Sequence, residues 1–359
     1  MSQILARDDV VETLGDVGPN DREPLLVLQP LRQFLRDAGL EAPDDLTASP
    51  IGDGHSNVTF ELSTGIVVRR PPRGPLPPTA HDVLREARVQ QALAPTPVRV
   101  ANVLATCADP AVIGAPFYVM ERVPGIVIGD TLPPELDNPA QRRAVADQMV
   151  DGLVDLHAVD YAEAGLGDFG KPDGYLARQV RRFGSLWEHN RTREVPEIER
   201  VGRWLADHIP ESAATTVVHG DYRLGNLIYA ERSPASLHAI LDWEMATIGD
   251  PLADLGYTLM FWVQADEDPG PLTLSPVTAL PGFPSRGELI AQYERLSGRS
   301  MHALDWYVAL AMWKAAVFME GNYRRAVAGA TDDPYLKTFG ASVVALARRA
   351  LDVTRDGFA

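Results

Sequence analysis

The sequence predicts an α+β protein in two lobes, a small β-rich N-terminal lobe and a larger, mostly helical C-terminal lobe. Three observations predict it. The chain has 359 residues, more than one hydrophobic core usually holds. Strand alternation and a hairpin signal concentrate before residue 123. Helix-period patterns dominate after it, broken by one short β-rich stretch. The expected divisions are residues 1–24 as an N-terminal extension, 25–122 as the N-lobe and 123–359 as the C-lobe.

Along the N-lobe, Leu31, Phe34 and Leu35 share a face of a helix expected over Leu25 to Gly39, where glycine stops it. A glycine-containing loop, Ile51 to Asn57, follows. Val58, Phe60 and Leu62 then alternate with polar residues, Ser63-Thr64-Gly65 turns the chain, and Ile66 to Arg69 runs back as a hairpin partner. Pro71, Pro72, Pro75, Pro77 and Pro78 form a stiff connection that a sheet interior would reject. Thr79 to Asp82 resembles a capping box before a helix over Val83 to Ala94. Short strands are expected near Val100 to Thr106 and at Phe117 to Met120, and Pro124-Gly125 marks a boundary.

In the C-lobe, Val145, Met149, Leu153 and Leu156 line one face of a helix over Gln141 to His157. Further helical patterns cover Tyr175 to Asn190, Glu197 to His208, Arg286 to Leu296 and Ala303 to Ala328. Thr216-Val217-Val218, Leu227-Ile228-Tyr229 and Ala239-Ile240-Leu241 are short apolar runs that read as strands, whereas Asp266 to Pro284 reads as an acidic, proline-rich surface loop.

Composition narrows the function. Apolar residues at 45% and charged residues at 23% exclude a disordered chain, a collagen-like repeat and a disulfide scaffold. A formal net charge of -16 argues against nucleic-acid or anionic-membrane partners, while leaving room for one local basic pocket. The single cysteine, Cys107, allows no intrachain disulfide and reads as a small buried group. The first residues, with Asp8, Asp9, Glu12 and Asp16, lack the pattern of a secretory signal. The apolar stretch from Trp306 to Met319 is broken by Lys314 and is short of the ~20 residues a bilayer demands. A soluble cytoplasmic protein is expected, with its oligomeric state left open.

The chemistry concentrates in His219-Gly220-Asp221-Tyr222-Arg223-Leu224-Gly225-Asn226, between two apolar strands, with Asp242 at the end of the next. A loop aspartate can accept a proton from a hydroxyl. An amide oxygen and a carboxylate are hard ligands suited to Mg²⁺, which takes few protein ligands and completes its shell with phosphate oxygens. Base, amide ligand and carboxylate ligand are the parts that phosphoryl transfer from ATP needs, and Asp221 and Asn226 stand at the spacing of that template. The strand end reads Asp242-Trp243-Glu244 rather than Asp-Phe-Gly, and no Ala-Pro-Glu segment follows, which speaks against a protein kinase.

Together with Ile240-Leu241-Asp242-Trp243-Glu244 and Asp250-Pro251-Leu252-Ala253-Asp254-Leu255-Gly256, this loop resembles the aminoglycoside phosphotransferase and choline kinase-like family. Leu156 to Asp160 and Val68 to Pro72 add weaker support, the latter resembling the branch found fused to acyl-CoA dehydrogenases. The resemblance covers about residues 45 to 330. It implies a bilobal protein-kinase-like fold with a nucleotide-binding N-lobe, ATP as donor, Mg²⁺ as metal and a small-molecule hydroxyl as acceptor.

By that resemblance Asp221 is the general base, and Asn226 and Asp242 hold the metal. His219 is expected to be structural, and Asp250 and Asp254 to brace the loop and cap a helix. Arg69, with Arg70 as the alternative register, stands where the fold wants a cation for the donor phosphates, and Glu86 is its expected partner. Lysine is usual at that place. Arginine carries a permanent charge and forks onto oxygens. Gly52, Gly54, Ser56 and Asn57 are expected to form the loop over the phosphates. Met120, Glu121 and Val123 resemble the strand and hinge that hold adenine, with Met120 equally at home in the core. For the acceptor, Trp243, Trp262, Trp313, Asp266, Glu267, Asp268, Glu320 and Tyr323 are available. A cationic acceptor would want the carboxylates; an acyl-CoA-type acceptor would want Lys314, Arg324 or Arg325. Arginine in place of lysine and the irregular glycine loop motivate a second reading, a nucleotide-binding pseudokinase or regulatory module without turnover.

Overall fold

The computed structural model describes residues 9–18, 22–52, 57–74, 81–212, 214–267, 273–329 and 334–358. The chain divides into two compact units, residues 1–95 with 100–123, and residues 96–99 with 124–359.

In the first unit, β1 (Val10–Val11) pairs in parallel with β2 (Leu26–Val27), which runs straight into α1 (Leu28–Asp37). The expected helix therefore starts three residues late. The N–H of Leu25 is given to the carbonyl of Asp9, so that end of the segment is spent on strand pairing. The main sheet holds β3 (Ala48–Ile51), β4 (Val58–Leu62), β5 (Ile66–Arg70), β6 (Val103–Cys107) and β7 (Phe117–Glu121), antiparallel, in the order β3-β4-β5-β7-β6, with α2 (Val83–Leu93) inserted after β5. Strand alternation decides which face packs where. Phe60, Leu62, Val68 and Val119 turn toward Leu31 and Leu35 of α1. Val67 and Met120 turn the other way, toward Val83 and Ala87 of α2. β3 was not expected from the sequence: it carries Pro50 and is only half-buried, and proline is tolerated there because the strand lies at the sheet edge. Asp82 is the N-cap of α2, its carboxylate accepting from the Arg85 N–H; Thr79 and Ala80 of the expected capping box lie outside the described residues.

In the second unit, β8 (Ile126–Val127) precedes α3 (Pro139–His157), α4 (Tyr175–Asn190) and α5 (Pro196–Asp207). The β-rich stretch follows as β9 (Thr216–Val218), β10 (Leu227–Tyr229), β11 (Leu237–Ile240) and β12 (Thr247–Gly249). Its strands form a β11-β10-β8 sheet and a separate β12-β9 pair. Four helices complete the unit: α6 (Leu252–Phe261), α7 (Arg286–Ser297), α8 (Leu304–Val327) and α9 (Pro334–Asp356). Capping chemistry starts and stops several of them. Asn138 accepts from the Gln141 N–H ahead of Pro139, and Ser285 and Glu288 form a capping box on α7, which Gly298 ends at φ 66°. α8 is buried nearly all round, which explains its apolar sequence without a membrane. No helix among the described residues is long and apolar enough to cross one.

Two expectations fail here. Residues 334–356 were assigned no element, yet Val343, Leu346, Ala347, Ala350 and Val353 recur at helical spacing and are buried in α9. The segment expected as a surface loop, Asp266 to Pro284, buries Ser275, Val277 and Thr278, and its Pro284 carbonyl accepts from the Trp262 indole; residues 268–272 lie outside the described residues.

Candidate functional site

The loop after β9 is held from below by one carboxylate. Asp254, on the first turns of α6, is wholly buried and accepts from the backbone N–H of His219 (2.7 Å) and of Gly220 (2.8 Å). It also faces His157 Nε2 at 3.2 Å, while His157 Nδ1 meets the Tyr293 hydroxyl at 2.7 Å. Burial by itself would raise the Asp254 pKa, but the hydrogen bonds from His157 and the backbone outweigh it and hold it below the usual carboxylate value. Burial pushes His157 down. Gly220 has φ +86°, and a Cβ there would lie 2.8 Å from the Met245 carbonyl oxygen, so only glycine lets the loop pass. His219 Nδ1 accepts from the Asp221 N–H at 3.2 Å. Its Nε2 therefore carries the proton and donates to the Leu241 carbonyl at 2.8 Å. The expected structural part for His219 agrees with this geometry: the ring ties the loop to the end of β11.

Asn226 closes the loop. Its Nδ2 donates to the Asp221 carbonyl at 2.8 Å and to Asp221 Oδ2 at 2.7 Å, which leaves the amide oxygen for another partner. Asp221 Oδ1 is buried without a hydrogen bond. Arg223 Nε lies 3.3 Å from it, an ion contact lacking hydrogen-bond geometry. Leu227 faces Ile240 across the β10–β11 pair, and the Leu241 N–H donates to the Asn226 carbonyl at 2.8 Å, so Asn226 and Asp242 emerge at the same end of that pair. Asp242 itself adopts φ 64°, ψ 61°, a left-handed conformation that a non-glycine residue keeps only when its surroundings insist. Burial first, then the charge of Asp221 and a side-chain interaction with it, and last the charge of Asp242, push the phenol of Tyr257 on α6 well up.

In the first unit, Arg69 and Glu86 meet as expected, with Arg69 Nε 3.0 Å from Glu86 Oε2. Arg69 also donates to Thr59 Oγ1 at 3.2 Å. Asn57 is buried and turned to this pair, its Nδ2 donating to Glu86 at 3.3 Å and its carbonyl oxygen 3.2 Å from His81 Nδ1. Its side chain is thus part of the ion-pair network rather than held out from a loop. Arg70 points to the other face, where it is buried and gives its N–H groups to the carbonyls of Pro71, Leu25 and Ile113. Burial pushes its pKa down to about 10. Gly54 and Ser56 lie outside the described residues. Met120 packs with Val67 and Val83, and Val123 rests against that cluster. The Glu121 carboxylate accepts from the backbone N–H and Nδ2 of Asn102.

The profile of the phosphotransferase enzyme family matches residues 47–306, well over half of the chain. The chain belongs to that family. A crystal structure of a Ralstonia eutropha protein, provisionally assigned as an aminoglycoside phosphotransferase, is 33% identical, with a TM-score of 0.79, covering 91% of this chain and 98% of that one. A thermostable mutant of aminoglycoside phosphotransferase APH(4)-Ia, crystallised with AMP-PNP and hygromycin B, is 15% identical with a TM-score of 0.58 over 92% of this chain and all of that one, a likeness of fold alone. Acyl-CoA dehydrogenase family member 10 of Mus musculus is 35% identical over 312 residues, 85% of this chain and 29% of the mouse protein. This phosphotransferase chain spans less than half the length of the curated relatives it matches. The fold is the mixed, bilobal one expected, with an antiparallel N-lobe sheet and a helical C-lobe.

The donor set suits Mg²⁺. Among the described residues no group of three or more His, Cys, Asp or Glu has the geometry of a metal cage. Mg²⁺ in phosphoryl transfer needs none, because one or two protein oxygens and the phosphates themselves complete its shell. The amide oxygen of Asn226, left over by its two Nδ2 bonds to Asp221, and the carboxylate of Asp242 would fit that requirement.

Most acceptor candidates are engaged elsewhere. The indoles of Trp243, Trp262 and Trp313 are buried and donate to backbone carbonyls. Glu267 pairs with Arg286 and Arg349, and buried Glu320 accepts from Thr192. Tyr323 lies under the Arg193 guanidinium. Arg324 donates to the His189 carbonyl. Asp268 lies outside the described residues. Two residues at the site went unnoticed in the sequence. Arg223 follows Asp221 by two on extended backbone, the spacing that puts side chains on one side. Tyr257 follows Asp254 by three, one helical turn on.

Proposed function

We propose that this phosphotransferase moves the γ-phosphoryl group of ATP to a hydroxyl of a small molecule, with Mg²⁺. The observation that supports the reading is the state of Asp221: one carboxylate oxygen is tied by Asn226, and the other is buried with no hydrogen bond and only an ion contact from Arg223. A buried acceptor atom without a donor is costly, and the hydroxyl of an incoming acceptor would satisfy it. Asp221 Oδ1 then takes the hydroxyl proton as the acceptor oxygen bonds to phosphorus and the bridge to ADP breaks. Arg69, aimed by Glu86, meets the donor phosphates. Asn226 and Asp242 hold the metal, whose part when bound is to offset the phosphate charge. His219, Gly220 and Asp254 keep the loop in place and touch neither substrate.

The test pairs binding with turnover. Asp221→Asn should bind MgATP in calorimetry as the natural chain does and release ADP roughly 10²–10⁴-fold more slowly with its acceptor. Full turnover in that variant would remove Asp221 as the base. MgATP binding by the natural chain without ADP release on any hydroxylated metabolite would support the non-catalytic module instead.

A further inference from the structure

The Asp221 loop carries a cation whose hydrogen-bonding groups are unused. Arg223 stands two residues after Asp221, with φ -155° and ψ 161°, extended backbone that sends both side chains to one side. Its Nε faces Asp221 Oδ1 at 3.3 Å without hydrogen-bond geometry. A guanidinium has five N–H donors, and among the described residues none of those on Arg223 makes a hydrogen bond. The loop leaves room for the group: a Cβ added at Gly225 would run into Arg223 Nη1. The side chains of Arg223 and Asp221 are 24% and 19% exposed, so the pair opens to solvent on one side. Asp221 Oδ1 itself is covered. A hydroxyl therefore reaches that atom only when a neighbour draws back, and Arg223, tied by one ion contact, is able to.

We propose that Arg223 is a catalytic residue that leaves Asp221 for the phosphoryl group during transfer and donates N–H groups to its outer oxygens. The inference rests on the phosphotransferase reading above and adds a second group to its chemistry. Reach carries it. A base and the hydroxyl it deprotonates lie about 2.6–3.2 Å apart, and phosphorus bonds to that same hydroxyl oxygen. Any acceptor oriented by Asp221 Oδ1 thus brings the moving phosphoryl group close to a guanidinium that stands 3.3 Å from the same atom. The proton passes to Asp221, the acceptor oxygen bonds to phosphorus and the bridge to ADP breaks. Arg223 forms no covalent bond and gives up no proton; it answers the charge spread over the three outer oxygens. The planar fork of arginine meets two such oxygens at once. One movement then does two things: it uncovers Asp221 Oδ1 and brings positive charge to the phosphoryl group.

The experiment follows kcat, KM and a mimic of the transferring group. Calorimetry on the full chain records MgATP, MgADP, and MgADP with aluminium fluoride. ADP release is measured with water and with each hydroxylated metabolite that the natural chain turns over. Arg223→Met should bind MgATP as the natural chain does and keep its acceptor KM. It should lose roughly 10²–10³-fold in kcat, the worth of one donor to developing charge, and the added affinity that aluminium fluoride gives MgADP. Arg223→Lys, which keeps the charge without the fork, should recover part of both losses. A measurement on the natural chain covers the case of variants that do not fold: aluminium fluoride with MgADP should protect Arg223 from phenylglyoxal better than MgADP alone, read by peptide mass. Unchanged kcat and mimic binding in Arg223→Met, or equal modification with and without the fluoride, would overturn the inference and leave the transfer reading standing. A raised acceptor KM with kcat intact would overturn it too, by giving Arg223 to the acceptor. A natural chain that releases no ADP and binds the mimic no better than MgADP would sink the transfer reading itself, and the inference with it.

Discussion

The Arg69 network of the first unit and the Asp221 loop of the second treat charge in opposite ways. Around Arg69 every charge is answered locally: Glu86 meets Arg69, Asn57 donates to Glu86, and His81 faces Asn57. Around Asp221 the framework is answered and the working atoms are not. Asp254 satisfies the backbone, yet Asp221 Oδ1 and Lys314 are left without hydrogen bonds. The first arrangement aims one cation. The second leaves polar atoms without hydrogen bonds, and an unsatisfied buried group costs about 1–3 kcal/mol.

The difference can be broken at its strongest point first. Asp254→Ala removes the acceptor of two backbone N–H groups and of His157 in a fully buried place, so it should destabilise the fold by about 3–5 kcal/mol in urea unfolding. A loss below about 1 kcal/mol would mean that the loop does not depend on this carboxylate. Glu86→Gln comes next. It should cost about 1–3 kcal/mol, because Arg69 keeps some solvent, and it should raise KM for MgATP while leaving the acceptor KM alone. If both KM values moved together, the two regions would not divide donor from acceptor as described.

A third test sharpens the contrast through pH. The folded pKa of Lys314 lies at about 8, below its ordinary 10.5. Below pH 8 the folded and unfolded states both carry the proton, and the full cost of burying the charge is present. Between about 8 and 10.5 the unfolded chain binds more protons, so stability rises with pH and the cost is relieved. Lys314→Met should therefore be more stable than the natural chain at pH 7, and its advantage should shrink toward pH 10.5. An advantage that stays constant across that range would show that Lys314 is solvated like any surface lysine.

Legibility in the sequence followed chain separation. The hairpin of β4 and β5 and the Asp221–Asn226 spacing are local, and their residue types announce them, whereas the cap of α2 sits at Asp82 rather than at the start of the expected Thr79–Asp82 box. For the Arg69–Glu86 pair the helix interior offers one acidic residue, while the strand end offers Arg69 or Arg70, and only the structure separates the two, turning Arg69 to Glu86 and Arg70 to the other face. Asn57 was placed on the phosphate loop because its neighbours are glycine and serine; its role beside Glu86, 29 positions away, depends on how α2 crosses the sheet. α9 was overlooked although its apolar period is plain, and β3 because Pro50 hides an edge strand.

The sequence by itself determined the family and the two kinds of lobe, and it proposed the oxygen-bearing residues of the candidate site, because those readings depend on residue type at short spacing, where backbone geometry leaves little choice. Tertiary structure alone decided which charges are spent and which stay open. Arg70 and Glu320 find hydrogen-bond partners more than 40 positions distant, whereas Asp221 Oδ1 and Lys314 make no hydrogen bond, the first meeting only the Arg223 guanidinium and the second the Phe183 ring. Hydrogen bonding and burial are settled by which surfaces meet, and long-range packing brings those surfaces together.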